Sequence, residues 1–320
     1  MLARQCAHIV HSGPLLEVVD AAITPLIQSI DPRWFAPPDW RGPHACHGPP
    51  EQVVSWLLAY NAVNFSYFRD DGRRYWTVID GDPVGDDDEA LAVMARFARL
   101  VEAGDLRDPD ALKRVAPDDL DALLAPAPDA ASLPMMRERA AGLRELGQAY
   151  ERLGGPLQLL ALSHGNAGRL VDTLVGELPS WEDTRRFGAE VLAFRKRAQL
   201  CVAMICACLE RRSPAPTEGI GSLTVFSDYR LPQILRGSGV IRLGDDLAAT
   251  IEAGQPIPEG SDEEIALRAA TIHGGELMRQ ALTPQRPGIT ALEVDHALWR
   301  TAVEREAELP PFHRTRTTAY

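Results

Sequence analysis

Apolar residues recur at helical spacing along nearly the whole chain, and this periodicity limits the fold more than any other feature. Leu15, Leu16, Val19, Ala22, Ile23 and Leu26 fall on one helical face. Val53, Val54, Trp56, Leu57 and Tyr60 repeat the pattern between Glu51 and Val63. The same spacing predicts long helices near Glu89–Glu102, Ser132–Arg152, Leu157–Leu178, Trp181–Arg211, Asp262–Ala281 and Ala291–Ala307. Start signals mark Leu120, preceded by Pro117-Asp118-Asp119, and Trp181, preceded by Ser180. Ser261 and Glu264 stand at capping-box spacing. The β signal is local by contrast. Asn64–Phe68 and Arg73–Ile79 are aromatic and β-branched and flank Asp70-Asp71-Gly72, which predicts a hairpin, while Leu223–Phe226 reads as a short extended piece. Two isolated patches do not build an α/β sheet. The expected fold is mainly α, a compact multi-helix globular unit with a small β-hairpin.

The chain has 320 residues, and its linkers (Asp80–Asp88, Leu124–Ala131, Arg212–Gly221) are short. A single domain over 1–320 is expected, with an N-terminal helical subregion 1–130 and a catalytic core 131–320. Thirty-three basic and 45 acidic residues leave a formal net charge of −12. Such a surface repels duplex nucleic acid and anionic lipid, whereas a small enclosed anion answers only to the charges of its own pocket. No run of about 18 apolar residues exists to span a membrane, and Met1–Gln5 does not open a secretory signal. The five cysteines are odd in number, and Cys201, Cys206 and Cys208 share one apolar helical stretch, so the compartment reads as reducing cytoplasm.

The common nucleotide and hydrolase motifs are absent: no P-loop, no dinucleotide fingerprint, no H-E-x-x-H, no G-x-S-x-G. His44-Ala45-Cys46-His47 gathers three ligand types without a second pair to complete a zinc set, and reads as a Pro/Gly-rich loop. Four clusters stand out. Asn64-Phe65-Ser66-Tyr67-Phe68 interleaves an amide and a hydroxyl with flat rings, as a nucleobase pocket requires, or as a hairpin covering a core would. Arg195-Lys196-Arg197 cannot place all three cations on one helix face, so one is free to point into a pocket while the others snorkel or meet solvent. Phe226-Ser227-Asp228-Tyr229-Arg230-Leu231-Pro232-Gln233 sets an acid beside a phenol just before a proline, at a cavity edge or as a helix cap. The final stretch, Pro310 to Tyr320, carries His313, Arg314, Arg316 and three threonines, all able to donate to an anion. Asp295 and Trp299 form a further pair at i and i+4.

Taken in order, these clusters resemble the queuosine salvage protein family, the queuosine 5′-phosphate N-glycosylase/hydrolases. The resemblance runs from about Asn64 to the C-terminal residues and includes Lys196-Arg197-Ala198-Gln199, Glu264-Ile265-Ala266-Leu267-Arg268 and Asp295-His296-Ala297-Leu298-Trp299. Two positions depart from the family pattern: Phe68 stands where Trp is more usual, and Phe312 where a second His is. The resemblance implies an enzyme that hydrolyses the N-glycosidic bond of queuosine 5′-monophosphate and releases queuine for tRNA, with neither metal nor organic cofactor. Leu231–Gly237 also resembles, at the level of fold, the hairpin of helical DNA glycosylases.

Under that resemblance, Asp228 is the expected carboxylate at the sugar and Tyr229 orients it or the water. Asp295 is the second acid, facing the base's exocyclic amine or its cyclopentenediol. Asn64, Phe65, Ser66, Phe226 and Trp299 line the base pocket, and Lys196, His313, Arg314 and Arg316 hold the 5′-phosphate. Glu264 and Arg268 are expected to be structural, as a capping box and an i,i+4 ion pair. Direct nucleic-acid binding is not expected. The rival readings are a non-catalytic nucleoside- or nucleotide-binding protein, a helical scaffold, and a DNA or RNA glycosylase, the last opposed by the acidic charge.

Overall fold

A computed structural model describes residues 1–85, 88–104, 106–210 and 215–320. The chain runs through α1 (Leu2–Ser12), β1 (Leu16–Val18), α2 (Ile23–Ser29), α3 (Pro50–Ala62), β2 (Thr77–Ile79), β3 (Asp82–Val84) and α4 (Glu89–Ala103). It continues with α5 (Pro109–Arg114), α6 (Pro117–Leu124), α7 (Met136–Leu153), α8 (Pro156–Ala161), α9 (Ala167–Glu177), β4 (Thr184–Phe187), β5 (Glu190–Ala193) and α10 (Lys196–Cys208). The last elements are α11 (Arg230–Gly237), β6 (Ile241–Leu243), α12 (Asp245–Glu252), α13 (Asp262–Leu282) and α14 (Ala291–Glu304). The fold is mainly helical, as expected, and the described residues form three antiparallel two-stranded sheets, β1–β6, β2–β3 and β4–β5.

Two helices serve as axes. Every residue of α3 from Val53 to Ala62 is buried, so this helix has no polar face to turn to solvent. It centres an apolar cluster built from residues 45–226 together with Leu292. In α13, 13 of 21 residues are buried, and around it residues 6–35 pack with residues 192–302. Residues 1–130 therefore do not pack as a unit: the first 35 join the C-terminal half. Gly142 brings α7 against the end of α3, since a Cβ there would lie 2.6 Å from the Ala62 carbonyl oxygen.

Three expected helices are corrected. The face at Leu15–Leu26 is split, because Leu16–Val18 pairs in register with Ile241–Leu243 and only Ile23–Ser29 is α-helical. The run at 157–178 breaks where His164 and Gly165 take φ of +49° and +76° and Asn166 caps α9 by accepting from the Arg169 N–H. The run at 181–211 begins as the β4–β5 hairpin, turning at Gly188 (φ +56°), before α10 starts after Arg195 (φ +48°). Arg211, its expected end, lies outside the described residues, as do residues 86 and 87 of the acidic linker and 212–214 of the later loop.

The hairpin at 64–79 does not form. The observed one pairs β2 with β3 around Asp80 and Gly81, at φ +54° and +96°, inside the stretch expected to be a linker. Residues 64–68 lack a strand partner because their backbone is engaged elsewhere. The Arg139 guanidinium donates to the carbonyls of Val63, Phe65 and Ser66, and the Ser66 N–H donates to the Tyr320 carbonyl at 3.0 Å. Leu223–Phe226 is irregular rather than a strand.

Candidate active site

Between the two apolar clusters lies a cavity of about 340 Å³. The end of α3, the start of α4, α10, the start of α11 and α14 all contribute walls. This volume falls within the range of small-molecule pockets, about 300–1,000 Å³. Eight of the twelve expected site residues line it: Asn64, Phe65, Lys196, Phe226, Asp228, Tyr229, Asp295 and Trp299.

Asp228 stands at the start of α11. Its Oδ1 accepts the N–H groups of Arg230 at 2.8 Å and Leu231 at 3.1 Å, so the helix terminus fixes the carboxylate. The cap and the cavity-edge readings of this residue are thus one arrangement, for Oδ2 takes no hydrogen bond from the described residues. Asp295, on α14, is buried and accepts the Phe226 N–H at 2.6 Å. Burial raises its pKa well above the usual carboxylate range; the charge on Asp228 adds to this, while the Phe226 N–H and Lys196 oppose it. The protonated form of Asp295 is therefore favoured, beside a second carboxyl group held by backbone N–H groups.

Lys196 opens α10 and faces the cavity with 7% of its surface exposed. Burial lowers its pKa, and the charges of Asp228 and Asp295 pull the other way. Its neighbours diverge as three successive helix positions must. Arg195 pairs with Asp172 at 2.6 Å, and the buried Arg197 donates to the carbonyls of Asn61, Ala62 and Ser180. Arg139 and Arg197 both lie over the Phe65 ring, at 4.6 and 5.2 Å. With 1% of its surface exposed, Phe65 offers no open face for stacking and acts as a wall of the cavity. Half-buried rings on the cavity are Trp40, Tyr229, His296 and Trp299. Burial raises the Tyr229 pKa, keeping the phenol protonated.

Four expected residues lie outside this lining. Ser66 Oγ donates to the Thr317 carbonyl at 2.8 Å and accepts the Thr317 N–H at 3.1 Å, so it fastens the chain end. His313 is 2% exposed and its Nε2 lies 3.3 Å from the Tyr320 hydroxyl. Burial, then the nearby Arg268 charge, pushes its pKa down to about 3, which makes it a neutral group and no cation for a phosphate. Arg314 and Arg316 both turn to Asp70, at 3.6 and 3.2 Å, and Arg316 also lies 4.1 Å over the Phe68 ring. Thr317 also donates its hydroxyl to Glu259 at 2.8 Å, and these contacts help to hold the segment down. Its last residue was not among the expected site residues, yet Tyr320 lines the cavity.

Other cavity residues also went unnoticed. Arg230 and Arg300 supply cations beside Lys196, and Glu89 supplies an acid. Arg230 is tied to Glu306 at 2.9 Å, and Arg74 bridges Glu306 at 3.4 Å to Glu89 at 3.3 Å. Beneath the site, Arg268 forms a fully buried triad with Asp183 and Glu264, at 2.5 and 3.3 Å, and supports the Tyr320 ring at 4.6 Å. The Arg268–Glu264 pair is structural, as expected. Asp183 carries no local sequence signal, since its partner stands 85 residues away. The reach-back of Glu264 goes to the Gly260 N–H at 3.2 Å, while Ser261 accepts the Glu264 N–H. Phe68 and Phe312 meet each other at 5.4 Å, and both touch Tyr229, at 5.7 and 4.9 Å. The two departures from the family pattern are thus one packing unit.

A family model described as queuosine salvage protein matches residues 44–320. A protein of Sphaerobacter thermophilus named queuosine 5′-phosphate N-glycosylase/hydrolase is 32% identical over 303 residues, covering 93% of this chain and 91% of its own. Proteins of the same name from Mus musculus and Nematostella vectensis are each 28% identical, over 88% and 84% of this chain and 86% and 82% of theirs. Among the described residues no helix is long and apolar enough to cross a membrane.

Proposed function

The chain belongs to the queuosine salvage protein family, and on that premise we propose that it hydrolyses the N-glycosidic bond of queuosine 5′-monophosphate and releases queuine. One observation carries the reading at the level of chemistry. Two of the cavity's carboxyl groups stand in contrasting settings, Asp228 anchored by a helix terminus and Asp295 pushed toward its protonated form by burial and by its neighbour's charge.

Breaking the ribosyl C–N bond builds positive charge on the sugar. Asp228 faces that charge, stabilises it electrostatically, positions the water whose oxygen ends on C1′ and accepts the proton which that water gives up, to be returned to Asp295 after the base has taken its proton. The departing base gathers electron density and must be given a proton. A 7-deazapurine has no N7 to receive one, so the donor has to serve another atom of the base. Asp295 supplies an O–H there, with its other oxygen tied to the Phe226 N–H. Tyr229, held by Phe68 and Phe312, orients the carboxylate or the water. The 5′-phosphate is assigned to Lys196 with Arg230 and Arg300, the cations on the cavity wall. Trp299 provides the stacking face and Asn64 reads the base edge.

Walls come from both apolar clusters, which supports one catalytic domain over 1–320. Five free cysteines support a reducing cytoplasm, and the net charge of −12 supports a free nucleotide rather than intact tRNA as substrate. The test is chromatographic detection of queuine after incubation with the 5′-monophosphate, the nucleoside and the 3′-phosphate. Release from the 5′-monophosphate above the other two is expected. Thermal stabilisation by all three with no base released would make the protein a binder and end the enzymatic reading.

A further inference from the structure

The Asn64 carboxamide reaches the cavity at the end of a hydrogen-bond chain whose direction is set inside α3. Asn61, fully buried, donates its Nδ2–H to the Leu57 carbonyl at 2.9 Å. A carbonyl only accepts, so Asn61 cannot turn its amide over without setting two oxygens against each other. Its Oδ1 must therefore face Asn64, whose Nδ2–H it accepts at 3.3 Å. That fixes Asn64 in turn, and its Oδ1 accepts the Tyr67 hydroxyl at 3.0 Å. Burial keeps the Tyr67 phenol protonated and able to donate. Every link points the same way, from Tyr67 through Asn64 and Asn61 to Leu57.

One N–H and one lone pair of Asn64 remain for a ligand, each on a determined side. The pairing edge of a 6-oxo purine-like base presents an acceptor followed by a donor, and that of a 6-amino base presents the reverse. An amide free to turn over suits both. A locked amide suits one order and sets like groups together for the other, leaving buried polar groups unpaired.

We propose that Asn61, which lies outside the cavity, is a specificity-determining residue: by locking the Asn64 amide it makes the site select 6-oxo over 6-amino bases. This rests on the nucleobase reading of the cavity. The test measures 7-deazaguanine and 7-deazaadenine as competitive inhibitors of queuine release, with thermal melts as a check of folding. In the unmodified protein 7-deazaguanine should inhibit more tightly by about tenfold or more. Asn61→Leu removes the acceptor, lets Asn64 turn over against the Tyr67 oxygen, and should bring the ratio of inhibition constants close to one. Asn61→Ala carries the same test if the branched side chain prevents folding. Tyr67→Phe should weaken both bases alike and keep the ratio, because Asn61 still holds the amide. A loss of stability alone would leave the ratio in place. Folded Asn61 variants that retain the original ratio would overturn the proposal while the hydrolase reading stands. Failure of the unmodified protein to release queuine or bind either base would remove the reading beneath it.

Discussion

Replacing Asp228 by Asn separates its two duties. The amide oxygen can still accept from the Arg230 and Leu231 N–H groups, now at 2.8 and 3.1 Å, and Asn caps helices about as well as Asp. Folding should be spared. What disappears is one negative charge opposite a ribose that becomes cationic only in the transition state. At a separation of about 4 Å and an effective dielectric constant near 20, that charge contributes about 4 kcal/mol. With about 1.4 kcal/mol per tenfold change, kcat should fall by about a thousandfold. The ground-state sugar is neutral, so KM should hardly move. Asp228→Ala gives the contrast, since it also loses the cap at about 1 kcal/mol and should lower Tm measurably. The assay is queuine release from the 5′-monophosphate under saturating and limiting substrate. A folded Asp228→Asn protein with kcat within about tenfold of the unmodified enzyme, or with its loss confined to KM, would refute the electrostatic argument.

Three further predictions follow from other groups. Asp295→Asn keeps an acceptor for the Phe226 N–H but has no proton to give, so kcat should fall by about 10²–10⁴-fold. Because the Asp295 pKa is raised in the folded state, its stabilising contribution is full below the unfolded carboxylate value and is lost as pH rises through the folded one; as pH is raised from the unfolded carboxylate value, Tm should decline less steeply in Asp295→Asn. His313 behaves in the opposite sense: its folded pKa of about 3 lies below the ordinary 6.5, so stability is present above that value and drains away as pH falls through this window. Melts between neutral and mildly acid pH should show a shallower loss for His313→Gln, and parallel curves would contradict the buried neutral assignment. Arg230→Met should weaken the 5′-monophosphate by about tenfold or more while sparing the nucleoside, whereas a combined Arg314→Ala and Arg316→Ala variant should lower Tm without separating the two substrates.

Long amphipathic runs were legible in the sequence because a helix buries one face, and the spacing of Glu89–Ala103, Met136–Leu153 and Ala291–Glu304 records that face directly. Short β-elements were not. Leu16–Val18 becomes a strand only because Ile241–Leu243, more than two hundred residues on, lies beside it. The hairpin at Asp80-Gly81 carried the same Asp-Gly signal as the one wrongly expected at Asp71-Gly72, but Pro83 and its acidic neighbours disguised the second strand. At the cavity, Asn64, Lys196, Asp228 and Asp295 could be picked out because each stood in a recognisable cluster. Arg230 stood in one of those clusters without being given a role, and Arg300 and Tyr320 were not among the expected site residues. In the tail, donors of Arg316 and Thr317 that would suit an external anion meet carbonyls and carboxylates of the same protein.

The Ser66 N–H closes on the Tyr320 carbonyl, and Tyr320 in turn lines the cavity. One wall of the pocket is therefore borrowed from a segment that is fastened in part at a serine far away in sequence. Fraying of residues 313–320 would breach the cavity itself rather than merely roughen the surface. Cutting the Ser66 anchor, as in Ser66→Ala, should for that reason disturb ligand binding without touching any group that meets the ligand.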